Sequence, residues 1–139
     1  MKNIITFSLT LAICLLFNVT VSAKNVSYSI AQPYYDTAIA ATSDLNISGT
    51  TATCTSVLRG NPDVTKIVVE QTLYFVNGNS MTKVSDANWT ESFDKSRAVV
   101  VNVKANLSNG TYCLLSVFTV TTKSGENETI RVYSTKNTV

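Results

Sequence analysis

Residues 109–120, NGTYCLLSVFTV, constrain the fold of this chain more than any other stretch. The segment opens with Asn-Gly, which favours a turn, and continues as an apolar and β-branched run. Successive side chains of a strand point to opposite faces, so one face of this run can be buried. The residues predicted to face inward are Tyr112, Leu114, Ser116, Phe118 and Val120. We therefore predict that this segment is the central strand of a small β-sandwich.

The N-terminal residues 1–23 have the features of a signal peptide. Lys2 supplies the positive charge, residues 4–17 form an apolar run, and Val21-Ser22-Ala23 is a small-residue cleavage site. The apolar run is too short for a stable membrane span. We expect a secreted, extracellular chain of single-domain length that begins at Lys24 and carries no membrane span after cleavage.

Charge and residue usage exclude several classes of function. The net charge of the whole chain is +2, with its cations scattered singly, so no electrostatic footprint for nucleic acid is present. The chain contains no His, which removes imidazole bases, Ser-His and Cys-His pairs and His-ligated metals. No phosphate loop or dinucleotide motif occurs. We therefore expect no enzyme activity, no metal and no cofactor.

The remainder of the sequence alternates between short strand patterns and turn signals. About seven strands are indicated, with no helical stripe, which is typical of an all-β, immunoglobulin-like antiparallel sandwich. Residues 24–42 are expected to form an N-terminal arm or edge, residues 43–135 the sandwich, and residues 136–139 a flexible tail. The sequence RAVVVNVKANL, at residues 97–107, places five apolar residues along one face of a strand: Val99, Val101, Val103, Ala105 and Leu107. Residues 85–88 are expected to be a loop that leads to Trp89.

The two cysteines that remain after cleavage present a conflict. An even pair in an exported chain favours a disulfide between Cys54 and Cys113. Tyr112, however, resembles the tyrosine corner of such sandwiches, which would turn Cys113 to the outer face while Cys54 points inward. A bridge would then need a local bulge, so both the bonded and the free state stay open.

The chain resembles a family of short secreted proteins of Gram-positive bacteria that carry a domain of unknown function. The resembling segments are GTTATCTSVLRG (49–60), TKIVVEQTLYF (65–75), LSNGTYCLLSVFTV (107–120) and ETIRVYS (128–134), after the lead-in QPYYDTAIAATSDLNIS (32–48). This sequence departs from the family pattern at Met81, where a Trp is usual, in the longer 85–88 connection, and at Cys113, where a basic residue is usual. The resemblance implies export and a sandwich fold, and it implies no activity.

Carboxylates and asparagines supply weaker motifs, each with a structural alternative. Acidic side chains that could serve a hydrolase are Asp86, Glu91, Asp94, Glu126 and Glu128, and oxygen ligands for a calcium ion could come from Asp63, Asp86, Asn88 and Asp94. All lie in predicted loops without the spacing of a known site, which favours solubilising turn residues. Six Asn-x-Ser/Thr triplets begin at Asn25, Asn46, Asn88, Asn106, Asn109 and Asn127. They would be glycan acceptors in a eukaryotic secreted protein.

Aromatic side chains provide the candidate binding surface. The residues singled out are Trp89, Tyr74, Tyr34 and Tyr35, which suit stacking on a sugar or contact with a protein. We therefore predict a secreted, non-catalytic β-sandwich module that binds a protein or a glycan at the cell exterior. Two alternatives stay open: a structural or protective component of the cell envelope, and a small secreted hydrolase using loop carboxylates.

Overall fold

The computed structural model describes residues 35–139, which form strands joined by turns and no helix. The strands are β1 (Ala38–Ser48), β2 (Thr51–Gly60), β3 (Val64–Asn77), β4 (Ser80–Phe93), β5 (Arg97–Lys104), β6 (Thr111–Thr122), β7 (Asn127–Tyr133) and β8 (Asn137–Thr138). The predicted signal peptide and most of the predicted arm lie outside these residues. Within residues 35–139, no helix is available that could cross a membrane.

The strands form two antiparallel sheets that pack face to face. The smaller sheet has the order β1-β2-β5, and the larger has the order β4-β3-β6-β7, with β8 pairing with β6 beyond the end of β7. The prediction of an all-β antiparallel sandwich is confirmed. Strands β1, β2 and β5 share one sheet and β3, β6 and β7 the other, as strands A, B, E and C, F, G do in immunoglobulin domains. Strand β4 extends the larger sheet beside β3.

The core between the sheets consists of two apolar clusters. The first cluster contains Ala41, Leu58, Val64, Ile67, Val69, Ala98, Val100, Phe118, Val120 and Ile130. The second cluster contains Leu45, Ala52, Cys54, Leu73, Ala87, Leu107, Tyr112 and Leu114. A layer of polar side chains lies between the two clusters and connects the sheets by hydrogen bonds.

Gln71 is the centre of this polar layer, and its side chain is fully buried. Its Nε2 donates to Ser56 Oγ at 2.6 Å and to the carbonyl of Cys54 at 3.2 Å, while its Oε1 accepts from Asn102 Nδ2 at 2.9 Å. Ser56 Oγ lies 2.5 Å from Ser116 Oγ on the opposite sheet. No buried side-chain nitrogen or oxygen within residues 35–139 lacks a partner, so the layer avoids the penalty of orphaned polar groups.

The two faces of the central strand β6 are as predicted. Leu114, Ser116 and Phe118 are fully buried between the sheets. Cys113 pairs with Tyr74 on the outer face of the larger sheet. The hydroxyl of Tyr112 donates to the carbonyl of Ser108 at 2.8 Å, which is the hydrogen bond of a tyrosine corner.

Strand β5 turns its more apolar face to solvent, the reverse of what binary patterning favours. Its register with β2 pairs Ala98 with Leu58 and Val100 with Ser56, both of which face inward on β2. Paired residues of an antiparallel ladder point to the same side, so the intervening residues must face outward. These are Val99, Val101 and Val103, which we call the valine row.

Two predictions of local structure are wrong. The expected loop at residues 85–88 belongs to β4, where residues 84–87 form an irregularity opposite Leu73 and Ala87 is buried in the second cluster. The expected flexible tail contains β8, and the amide of Val139 donates to the carbonyl of Gly110 at 3.0 Å. Residues 38–42, expected as part of an arm or edge, belong to β1, an edge strand.

Candidate functional site

The aromatic residues proposed from the sequence do not form one surface. Trp89 lies opposite Gln71 in the β3–β4 register and packs, half-buried, against the second core cluster. Tyr35 packs against the first cluster. Tyr74 lies on the outer face of the larger sheet, and Tyr34 lies outside the described residues. The structure therefore separates Trp89 and Tyr35, which cover the core, from Tyr74, which faces away from it.

Cys54 and Cys113 do not form a disulfide, because Cys54 points from the smaller sheet into the core whereas Cys113 lies on the outer face of the larger sheet. Cys54 and Cys113 are both free and buried, with Cys54 between the sheets and Cys113 on the outer face beneath Ser134. Burial raises the pKa of Cys54 to about 12. Burial also raises the pKa of Cys113, an effect that its hydrogen bonds with Ser134 and the charge of Lys136 oppose. Both thiols are therefore protonated at neutral pH and are poor nucleophiles.

The carboxylates proposed for a hydrolase meet in part at one cleft. A cavity of about 500 Å³ lies where the start of β1 meets the β6–β7 turn, and it is lined by Asp36, Thr37, Thr122, Glu126, Asn127 and Glu128. Glu128 accepts hydrogen bonds from both the amide and the hydroxyl of Thr37, so it fastens β1 to β7. Glu126 accepts from Ser124 in the turn. The geometry gives Glu128 a structural role in this cleft.

The other carboxylates are dispersed. Asp86 lies in the irregular part of β4, Glu91 lies farther along that strand, and Asp94 lies in the turn to β5. Within residues 35–139, no group of three or more His, Cys, Asp or Glu side chains could hold a metal ion. The described asparagines of the Asn-x-Ser/Thr triplets, Asn46, Asn88, Asn106, Asn109 and Asn127, are all exposed.

The valine row on β5 is an exposed apolar feature that was not part of the predicted binding surface. Val99, Val101 and Val103 are 45%, 55% and 58% exposed, and they are neighbours on one face of one strand. Isolated exposed valines are ordinary, whereas a continuous row marks a surface that can be covered by a partner. The sequence does contain three consecutive valines at 99–101. This run does not show whether the odd-numbered or the even-numbered residues face inward.

The strand that carries the valine row is also an edge strand. Strand β5 pairs with β2 on one side, and no described strand pairs with its other side. A free edge presents unpaired N–H and C=O groups that can accept a further strand. Strand β5 contains no Pro or Gly, and its register with β2 has no shift from Ala52–Lys104 to Arg59–Arg97. The edge is therefore regular along its whole length.

The other edge strands carry features that discourage strand addition. Strand β1 has a register irregularity between Ala38 and Ala40, and the carbonyl of Leu45 accepts a hydrogen bond from Asn137. Strand β4 is interrupted opposite Leu73. Strand β7 carries an exposed charge, Arg131, within its length. Bulges and charges are common protections of sheet edges, and β5 has neither a bulge nor a charge between its ends.

Comparison with known proteins adds no functional information. No protein-family model matches the chain, and no curated protein is significantly similar to it. Among solved structures, the chain is similar to catalytically inactive OgpA from Akkermansia muciniphila, crystallised with an O-glycopeptide, glycodrosocin. The match has 9% identity and a TM-score of 0.37, and it covers 78% of this chain but 33% of that chain. This likeness is too weak to support an argument about function.

Proposed function

We propose that this protein is a non-catalytic β-sandwich module that acts outside the cell by binding another polypeptide along β5. The single observation that carries this proposal is the coincidence of a regular free edge with the exposed valine row on the same strand. A polypeptide added in the extended conformation would gain main-chain hydrogen bonds from the edge and apolar contact from the valines. Export is supported by the sequence features of residues 1–23.

The structure offers less support for the two alternatives. A hydrolase would need an activated nucleophile or a pair of free carboxyls, whereas the described thiols are protonated and Glu128 is bound by Thr37. A structural component without a partner would not require an exposed valine row on a regular edge. Binding by β5 therefore accounts for more of what is observed than either alternative.

Site-specific photo-cross-linking tests the proposal and identifies the partner in the same experiment. The cross-linking amino acid p-benzoylphenylalanine would replace Val101 on β5, and in a matched control it would replace Thr42 on the outer face of β1. The two positions lie on the same face of the smaller sheet, at opposite edges. Each protein would be illuminated on intact cells and secreted material of the producing organism, and mass spectrometry would identify the joined peptides.

We expect position 101, and not position 42, to be joined to a segment of another protein. Adding V99T and V103T to the variant with the cross-linker at 101 should reduce the yield, because Thr keeps the shape of Val but lowers the apolar contact. These solvent-facing changes should alter stability by less than about 0.5 kcal/mol each. Equal yields at both positions, or joining to no other protein, would refute the proposal.

A further inference from the structure

We infer that the occupant of β5 is an extended segment of another protein, apolar at alternate positions and acidic at its two ends. This inference rests on the proposed function and adds the chemistry of the partner. It is carried by three features of β5: its length, the spacing of its valines and the cations at its ends.

The length and side-chain spacing of β5 define the apolar part of the occupant. An added strand would lie beside residues 97–104, about 4.8 Å from β5, with its outward side chains next to the valine row. Apolar side chains at every second position of the occupant would cover Val99, Val101 and Val103. Between Arg97 and Lys104 the strand presents no charged side chain, so the middle of the occupant needs none.

The ends of β5 are positively charged. Arg97 is exposed at one end, with Arg59 opposite it on β2, and Lys104 marks the other end. None of these three side chains forms an ion pair within the described part of the chain. The ion pair present there joins Lys123 to Asp63. Lys95 in the preceding turn is close in sequence to Asp94, so these two charges offset each other.

The same charges disfavour a second copy of this chain as the occupant. In an antiparallel pairing that keeps both valine rows on one face, Val101 of each copy would lie opposite Val101 of the other. Each end of the pair would then bring Arg97 of one copy beside Lys104 of the other, on opposite faces of the sheet. In a parallel pairing, Arg97 would lie near Arg97. Either pairing gathers cations at the ends of the two strands, whereas an acidic residue at these positions of the occupant would be attracted. Asp44, the carboxylate on the outer face of β1, is two strands away, about 10 Å from β5.

Binding of designed peptides to protein purified from an exporting host tests the inference. The probes are fluorescein-labelled, end-capped peptides of sequence EVTVTVTE, KVTVTVTK and EVTVPVTE. The first has the inferred pattern, the second reverses its end charges, and the third contains a proline that removes a main-chain donor. Fluorescence anisotropy gives the affinities at low and high salt, and amide chemical shifts show which strand is contacted.

We expect EVTVTVTE to bind at β5 about tenfold more tightly than KVTVTVTK at low salt, as one charge pair at each end of the strand would provide. Salt should narrow this difference, and the proline peptide should bind weakly or not at all. The double variant R97E/K104E should reverse the preference. The control double variant K83E/R131E, which makes the same charge change on the larger sheet, should leave it unchanged.

The outcomes separate this inference from the proposed function. Equal affinity of the acidic and basic peptides, mapped to β5, would overturn the inference and leave the proposed function standing. Shifts at another edge, or no binding of any peptide, would count against both. Dimerisation through β5 in sedimentation experiments, or contacts between β5 and the residues before Tyr35, would overturn the inference because the edge would already have a different occupant.

Discussion

Replacing Gln71 by Leu should destabilise the protein and loosen the constraint that keeps the valine row exposed. Gln71 is fully buried, and it joins β3 to both β2 and β5 through Ser56 and Asn102. Leu has a similar volume but neither donates nor accepts. The change therefore removes the hydrogen bonds at 2.6 Å and 2.9 Å and leaves Asn102 without this acceptor.

The magnitude follows from the balance between lost hydrogen bonds and gained apolar burial. Each lost hydrogen bond contributes about 0.5–1.5 kcal/mol, and a polar group left without a partner costs about 1–3 kcal/mol. Ser56 retains Ser116 as a partner, and Asn102 is half-buried, so part of the penalty is relieved. We expect the free energy of unfolding to fall by about 2 kcal/mol for Gln71→Leu.

A double-mutant cycle with Asn102→Leu isolates the pair. The single change Asn102→Leu leaves the fully buried Oε1 of Gln71 without its donor and should cost about 1–3 kcal/mol. Removing both partners leaves neither one orphaned, so the double variant should be at least about 1 kcal/mol more stable than the sum of the single effects predicts. In the double variant, β5 should also pair with β2 in more than one register, because an apolar layer can pack against either set of alternate side chains of β5.

Guanidinium unfolding provides the measurement. Trp89, the single Trp of the chain, packs against the second core cluster and serves as a fluorescence reporter, with circular dichroism as an independent probe. The register is read from amide exchange and chemical shifts of β5. A loss below about 0.5 kcal/mol for Gln71→Leu, or strictly additive effects in the cycle, would refute this account of the polar layer.

The remaining predictions concern the core, the tyrosine corner and the thiols. Leu114→Ala should cost about 2–5 kcal/mol in denaturant unfolding and Leu115→Ala on the outer face should cost less; the reverse order would contradict the assigned faces. Tyr112→Phe should cost about 1 kcal/mol by removing the hydrogen bond to Ser108, and an unchanged midpoint would deny it a stabilising role. Because burial raises the pKa of Cys54 from 9.0 to about 12, the folded state keeps this thiol protonated more strongly than the unfolded state does. The resulting contribution to the free energy of unfolding is fully present below pH 9.0 and is lost as the pH rises towards about 12. Between pH 8 and pH 10, under reducing conditions, the wild type should therefore lose about 1 kcal/mol more stability than Cys54→Ala, and equal losses would contradict the burial of this thiol.

The sequence predicted the features that depend on local alternation and on turn chemistry. The face of β6 that contains Leu114 and the outward position of Cys113 both follow from the parity of residues along one strand. The tyrosine corner of Tyr112 could be recognised from its neighbours, because its hydrogen bond reaches a carbonyl only four residues upstream. The Asn77-Gly78 sequence that joins β3 to β4 is a local hairpin signal of the same kind, and Gly78 has a positive φ of 58°.

Other features depend on contacts between residues far apart in the chain. The exposure of the valine row is decided by the pairing of β5 with β2 and by the hydrogen bond from Asn102 to Gln71, which no local pattern in residues 97–104 encodes. The pairing of β8 with β6 and the burial of Ala87 likewise require partners from distant segments. The sequence by itself thus determined that the chain forms strands and which residues alternate along each one. Only the tertiary structure decided which set of alternate β5 side chains faces the polar layer, because an antiparallel partner fixes the direction of every side chain on the strand it pairs with.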